Sequence, residues 1–159
     1  YPALGKVCDQ VMLMAYDEHW SGGSPGPVGS ANWVRRVLEY ATSVIPREKV
    51  VLGVPFYSRE WWGKGKSKSH TSVTIDKLIA EVKPEIKWDD ERKTHWFTYT
   101  DAEGVEHEVW FEDPDSLKHK AALAQEFGIA GISIWRLGNE HPGFWKVLAK
   151  YRKGEDVLK

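Results

Sequence analysis

An α/β architecture with parallel strands follows from three features of the sequence. Residues 10–16, 50–56 and 129–136 are apolar runs without polar alternation, the pattern of strands covered on both faces. Helical periodicity returns after each of them. The ends of the runs carry the chemically versatile residues, Tyr16-Asp17, Tyr57 to Arg59 and Trp135-Arg136, and parallel α/β proteins collect their chemistry at the carboxyl ends of strands. With 159 residues the chain can bury one core, but a complete (β/α)8 barrel takes roughly 200 or more. Pattern alone leaves two architectures, an open doubly wound sheet or part of a barrel.

Each element has its own signal. After the first strand, residues 21–29 form a Gly/Pro/Ser loop, and Ser30 is placed to cap a helix carrying Val34, Val37, Leu38, Ala41 and Ile45 at helical spacing. Pro46 stops it. Pro55 sits near the end of the second strand, where a missing amide does least harm. Residues 60–112 read as an α+β insertion between the second and third strands. It holds a Lys/Ser/Gly stretch at 64–68 expected to be a mobile loop, a short helix at 75–82, and strands at 95–99 and 105–111 joined by the turn Asp101-Ala102-Glu103-Gly104. Trp88-Asp89-Asp90-Glu91 reads as a solvated acidic cluster. Asp113-Pro114 supplies the cap and first residue of a helix striped with Leu117, Ala121 and Ala124 and ended by Gly128. His141-Pro142 opens the last helix, with Phe144, Val147, Leu148 and Tyr151 on one face.

Composition narrows the functions. With 22 basic and 23 acidic residues the net charge is −1, so no global field favours nucleic acid or an anionic membrane. The apolar runs fall far short of the about 20 residues of a membrane-spanning helix. Tyr1 follows no methionine or leader pattern, which suggests a truncated or processed chain. Cys8 is a lone thiol without an internal disulfide partner. His19, His70, His95, His107, His119 and His141 lack the spacing of metal sites, so neither a metal nor a cofactor is expected. Nine tryptophans serve either an aromatic core or exposed platforms for the apolar faces of sugars.

On the first strand Met12, Met14 and Tyr16 share a face, with Asp17 beginning the loop above; on the third, Gly131, Ser133 and Trp135 do. If the first face looks into a barrel, a phenol and a carboxylate sit together at its mouth, and the small residues of the third strand leave room for Trp135 to lie flat as a floor, which ordinary barrel-layer packing explains nearly as well. A core tyrosine with a loop-capping aspartate explains the same spacing, and spacing does not choose.

Three segments then resemble one family. Met14-Ala15-Tyr16-Asp17 is similar to the Met-x-Tyr-Asp motif ending the sixth strand of glycoside hydrolase family 18. Leu52-Gly53-Val54-Pro55-Phe56-Tyr57-Ser58-Arg59 resembles its seventh-strand segment, and residues 128–135, reading GIAGISIW, its eighth strand, which closes on the substrate-floor tryptophan. They occur in the family's order over residues 10–148. The stretch MAYDEHWSGGSPGP, residues 14–27, looks closest to the bacterial spore and cell-wall branch.

The resemblance implies the last three βα units of a (β/α)8 barrel across residues 1–159. It implies a substrate-assisted retaining mechanism on β-1,4-linked polymers containing N-acetylglucosamine, peptidoglycan or chitin, in a protein secreted or associated with the bacterial wall or spore. Tyr16 and Asp17 are the implied catalytic residues. Met14, Tyr57, Arg59 and Trp135 are the implied substrate-binding residues, and Glu18, His19 and Glu140 lie at loop ends near the cleft. The family's proton donor ends an Asp-x-x-Asp-x-Asp-x-Glu run, and these 159 residues contain no such run. This chain alone is therefore expected to be inactive. Three units also leave sheet edges unpaired, so the expected partner is the N-terminal half of the barrel or another copy.

The rival reading is a non-catalytic carbohydrate-binding module that holds sugar through Trp135, Trp61 and Trp62. An unrelated doubly wound domain that binds a small ligand fits worse, because a Gly-rich phosphate loop is lacking: Gly22-Gly23 follows a strand but does not open into a helix.

Overall fold

The computed structural model describes residues 1–63 and 65–159. In chain order its elements are α1 (Pro2–Val7), β1 (Val11–Met14), α2 (Ala31–Val44), β2 (Val50–Pro55), β3 (Ser58–Trp62), β4 (Lys66–His70), α3 (Ser72–Val82), β5 (Lys87–Asp89), β6 (Thr94–Thr100), β7 (Glu106–Phe111), α4 (Pro114–Phe127), β8 (Gly131–Trp135) and α5 (Pro142–Arg152). They make two sheets. One is parallel, in the order β1-β2-β8; the other is antiparallel, in the order β4-β3-β7-β6-β5.

β2 is buried along its whole length because it pairs on both sides, with Leu13 and Ile132 flanking Leu52. Its core side is filled from α2, α4 and α5: Val34, Leu38, Leu117, Ala121 and Val147 pack with Leu52, Val54 and Phe56, and the rings of Phe56 and Phe144 lie 4.4 Å apart. Local chemistry fixes the helix starts. The Ser30 hydroxyl accepts from the Trp33 amide, and Asp113 with Ser116 forms a reciprocal capping box ahead of Pro114. Gly128 ends α4 in the left-handed region, φ 58°, which glycine enters at no steric cost.

The parallel sheet departs from the expectation of strands covered on both faces. Val11, Leu13 and Ala15 are buried, whereas Met12 and Met14 are 59% and 73% exposed. The sheet has only three strands and is open: over its second face the Tyr16 ring covers Gly53 of β2, while Met12 and Met14 of β1 stay bare.

The antiparallel sheet carries its own core. Ile75 of α3 packs with Phe97, Val109 and Phe111, and Leu78, Ile79, Val82 and Tyr99 border them. Beside this apolar cluster Glu60 is buried and accepts three hydrogen bonds. His70 Nε2 lies 2.6 Å from one oxygen; His107 Nδ1, at 2.6 Å, and the Tyr99 hydroxyl, at 2.5 Å, share the other. Burial alone would raise the Glu60 carboxyl, but these donors outweigh it and hold it at about 2. The His107 ring is stacked between Trp62 and Tyr99, at centroid distances of 5.4 and 4.6 Å.

Several expectations are corrected here. In the supposed mobile stretch, residues 66–70 form β4, paired with β3; Lys64 lies outside the described residues. Ladder hydrogen bonds to Arg59 and its neighbours supply the order that composition hides. The helix expected at 75–82 begins at Ser72, because Thr71 caps it through the Thr74 amide. In the acidic cluster, Asp89 accepts from the Glu91 and Arg92 amides and so builds a turn.

Candidate active site

The carboxyl ends of β1, β2 and β8 converge, which follows from their parallel pairing. Beyond β1, Tyr16 reaches back over β2. Gly53 makes this possible: a Cβ there would sit 2.4 Å from the Leu13 carbonyl oxygen and 3.3 Å from Tyr16 Cε1. The Tyr16 ring lies between Tyr57, edge-on at 6.4 Å, and Trp135, stacked at 6.4 Å with 22° between planes. Ser133 pairs with Gly53, so small residues underlie the aromatic pair. Trp135 is 55% exposed, and its carbonyl accepts from the Phe56 amide at 2.7 Å, which ties the end of β8 to that of β2.

Asp17 turns out of the strand with φ 60°, a left-handed conformation that aspartate tolerates better than most side chains. Its Oδ1 accepts from the Tyr57 hydroxyl at 2.6 Å and from Arg59 Nη2 at 2.9 Å. Arg59 is buried and its guanidinium also lies 5.9 Å from the Tyr57 ring centroid. Asp17 is thus committed as an acceptor on one oxygen and remains open to solvent.

Both phenols stay protonated and able to donate. Burial, then the nearby Asp17 charge, raises the Tyr16 hydroxyl above the ordinary tyrosine range; burial and the bond to Asp17 raise Tyr57 much further. Tyr57 spends its proton on Asp17. Tyr16 has no hydrogen-bond partner among the described residues, so its O–H is free to point at a ligand resting against Trp135.

The structure therefore brings Tyr16, Asp17, Tyr57, Arg59 and Trp135 into one cluster. Met14 lies at the edge, on the exposed face of β1. The neighbours expected near the cleft shape loops instead: Glu18 accepts from the Ser30 amide, His19 bonds the Ser24 carbonyl, and Glu140 accepts from the Gly138 amide. Trp61 is buried and Trp62 half-buried, so neither is the open platform that the binding-module reading assumed. The bond from Tyr57 and Arg59 to Asp17 had no signal in spacing. Gly53 did have one, since a glycine inside a strand marks close backbone approach.

One group of metal-capable side chains comes together from distant positions, with ligand atoms of His95, Asp113 and Asp115 within 4.8 Å of one another. Their bonds are structural: His95 Nδ1 lies 2.6 Å from Asp113, whose other oxygen caps α4, and Asp115 pairs with Lys118.

Comparison with known proteins shows the family. The model of the family described as glycosyl hydrolases family 18 matches residues 1–140. The chain is 35% identical over 155 residues to the uncharacterized glycosylase YvbX of Bacillus subtilis, covering 96% of this chain and 45% of YvbX. It is 36% identical to the cortical fragment-lytic enzyme of Bacillus anthracis, covering 94% of this chain and 36% of that one. Among solved structures, the Bacillus cereus spore cortex-lytic enzyme SleL superposes with a TM-score of 0.90 at 36% identity, over 95% of this chain and 36% of SleL. A chitinase from Chromobacterium violaceum does so with 0.91 at 31%, over 95% and 48%. The chain spans less than half the length of these relatives.

Proposed function

Because the chain belongs to glycosyl hydrolases family 18, we propose that it forms the acetamido-positioning half of an active site on polysaccharides containing N-acetylglucosamine. The three parallel strands fit the last three βα units of a (β/α)8 barrel. The free Tyr16 hydroxyl beside the exposed Trp135 ring carries the reading.

In this reading the sugar at the cleavage point rests on Trp135. Its acetamido carbonyl oxygen attacks the anomeric carbon as the glycosidic C–O bond breaks, giving an oxazolinium ion, and the departing oxygen takes a proton from a carboxylic acid. Water then opens the ion with retention. Tyr16 donates to the attacking carbonyl oxygen, which orients it and stabilises charge as the ring closes. Asp17, held by Tyr57 and Arg59, accepts from the acetamido N–H or a sugar hydroxyl; Met14 borders the ring. The acid belongs to the Asp-x-x-Asp-x-Asp-x-Glu run, so the 159 residues alone do not turn over substrate; the loss from this one group is typically about 10²–10⁴-fold.

The relatives named for spore cortex lysis favour peptidoglycan of the bacterial spore or wall as the substrate, and a secreted or spore-associated site of action; the chitinase neighbour keeps chitin in the test. The open edges of β1 and β8 and the bare methionines favour, as partner, the N-terminal half of a barrel or a second copy. The experiment compares the chain with a longer protein that includes the acidic run, on N-acetylglucosaminyl substrates. Turnover by the chain alone would sink the division of labour. Tyr16→Phe in the longer protein should lower kcat about 10²–10³-fold with the fold intact, as loss of one such donor does; unchanged kinetics would remove Tyr16 from the mechanism.

A further inference from the structure

The chain crosses between the two sheets twice, and the crossings lie side by side. It leaves the parallel sheet at Phe56-Tyr57, before Ser58 opens β3, and returns at Glu112-Asp113, between the end of β7 and α4. The Glu112 amide donates to the buried Ser58 hydroxyl at 3.0 Å and joins them. Ser58 stands between Tyr57 and Arg59, the two donors that hold Asp17. Whatever fixes Glu112 therefore bears on both donors at once.

Glu112 is fixed from α4. Its Oε2 accepts from Lys120 Nζ at 2.7 Å and from the Ser116 hydroxyl at 2.6 Å, and all three side chains are buried. Lys120 belongs to the buried stripe of α4 with Leu117, Ala121 and Ala124, which packs in the core of the parallel sheet. Stability does not explain this pair. Burial pushes the Glu112 carboxyl above the ordinary glutamate range despite the ammonium beside it, and Glu112 Oε1 has no hydrogen-bond partner among the described residues. Replacing such a pair by apolar side chains of similar volume is often neutral or stabilising. Apolar contacts would lack direction, because they slide where a hydrogen-bonded ion pair holds one geometry.

From this placement we infer that Glu112 and Lys120 are positioning residues. The pair locks the returning crossing onto α4 and, through Ser58, sets Tyr57 and Arg59 on Asp17. Neither residue touches substrate. Their effect on turnover rests on the reading of Asp17 as a sugar-binding group; their effect on the orientation of the two sheets does not, and the test separates the two.

Removing one partner alone strands a buried charge and threatens the fold, so both are replaced together, as Glu112→Leu with Lys120→Met. Ser58→Ala is the second variant; it keeps the pair and removes only the link to it. In the 159-residue chain, backbone residual dipolar couplings should fit one common orientation of the parallel and antiparallel sheets, and in each variant they should require two. One orientation in both variants overturns the inference, as do two in the unaltered chain. In the longer protein that includes the acidic run, the paired change should lower kcat by up to about 10²-fold, as a misplacement of about 1 Å can. KM should hold, because the Trp135 floor is untouched. Arg59→Met should lower kcat as well, and adding it to the paired change should cost nothing further, since both act through one bond. Losses that multiply in full, or a loss carried by KM alone, overturn the positioning role. A longer protein inactive on N-acetylglucosaminyl substrates overturns the glycan reading instead, and the couplings then decide the inference.

Discussion

The parallel and antiparallel sheets are separated by only Phe56 and Tyr57, yet they treat their surfaces differently. The antiparallel sheet carries α3 and an apolar cluster, with buried Glu60 tied to His70 and His107 beside it. The parallel sheet buries one face against three helices and leaves Met12, Met14 and Trp135 bare on the other. A closed unit beside an open one implies different jobs. The inserted sheet has a core of its own, whereas the parallel sheet leaves one face and both of its edges open.

The largest expected effect tests whether the inserted sheet is its own unit. Phe97→Ala empties the centre of that cluster and should cost about 3–5 kcal/mol in urea unfolding. Amide exchange should accelerate in α3, β5, β6 and β7 while β1, β2 and β8 keep their protection; uniform acceleration would erase the distinction between the two regions.

A smaller loss, about 1–3 kcal/mol at pH 7, is expected for Glu60→Gln, which leaves buried donors poorly matched. Its pH dependence sharpens the comparison. The folded carboxyl is depressed from 4.5 to about 2, so its contribution is fully present above 4.5 and is lost as pH falls toward 2. The gap between wild type and variant should shrink on going from pH 7 to pH 2, read from urea midpoints. A constant gap would mean that the network is not ionic.

The smallest effect should come from the open face. Met12→Glu is expected to stay within about 0.5 kcal/mol of wild type, as surface changes usually do. A larger loss, accompanied by a shift in sedimentation, would show that another copy of the chain covers that face in solution.

How much of this was legible in the sequence depended on how local the cause was. Ser30, Asp113-Pro114, Gly128 and His141-Pro142 act on their own helix ends, and each is where its neighbours in sequence say it should be. β3 and β4 were hidden because Lys66 to His70 has no apolar pattern; its order comes from pairing with residues that are themselves a strand only in context. The covered-on-both-faces reading of residues 10–16 failed because an apolar side chain does not say what covers it. Within the site, the family motifs pointed to Tyr16, Asp17, Tyr57, Arg59 and Trp135. The bond network that unites Asp17 with Tyr57 and Arg59, and the Glu60 cluster with contributions from positions as far apart as 60 and 107, join residues that meet only in three dimensions.

Gly53 limits redesign. Because the Leu13 carbonyl occupies the space a methyl group would need, position 53 admits no side chain, and the floor beneath the Tyr16 ring is bare backbone. An engineer reshaping the space above β2 has freedom at the exposed Trp135 or Met14, but none at Gly53.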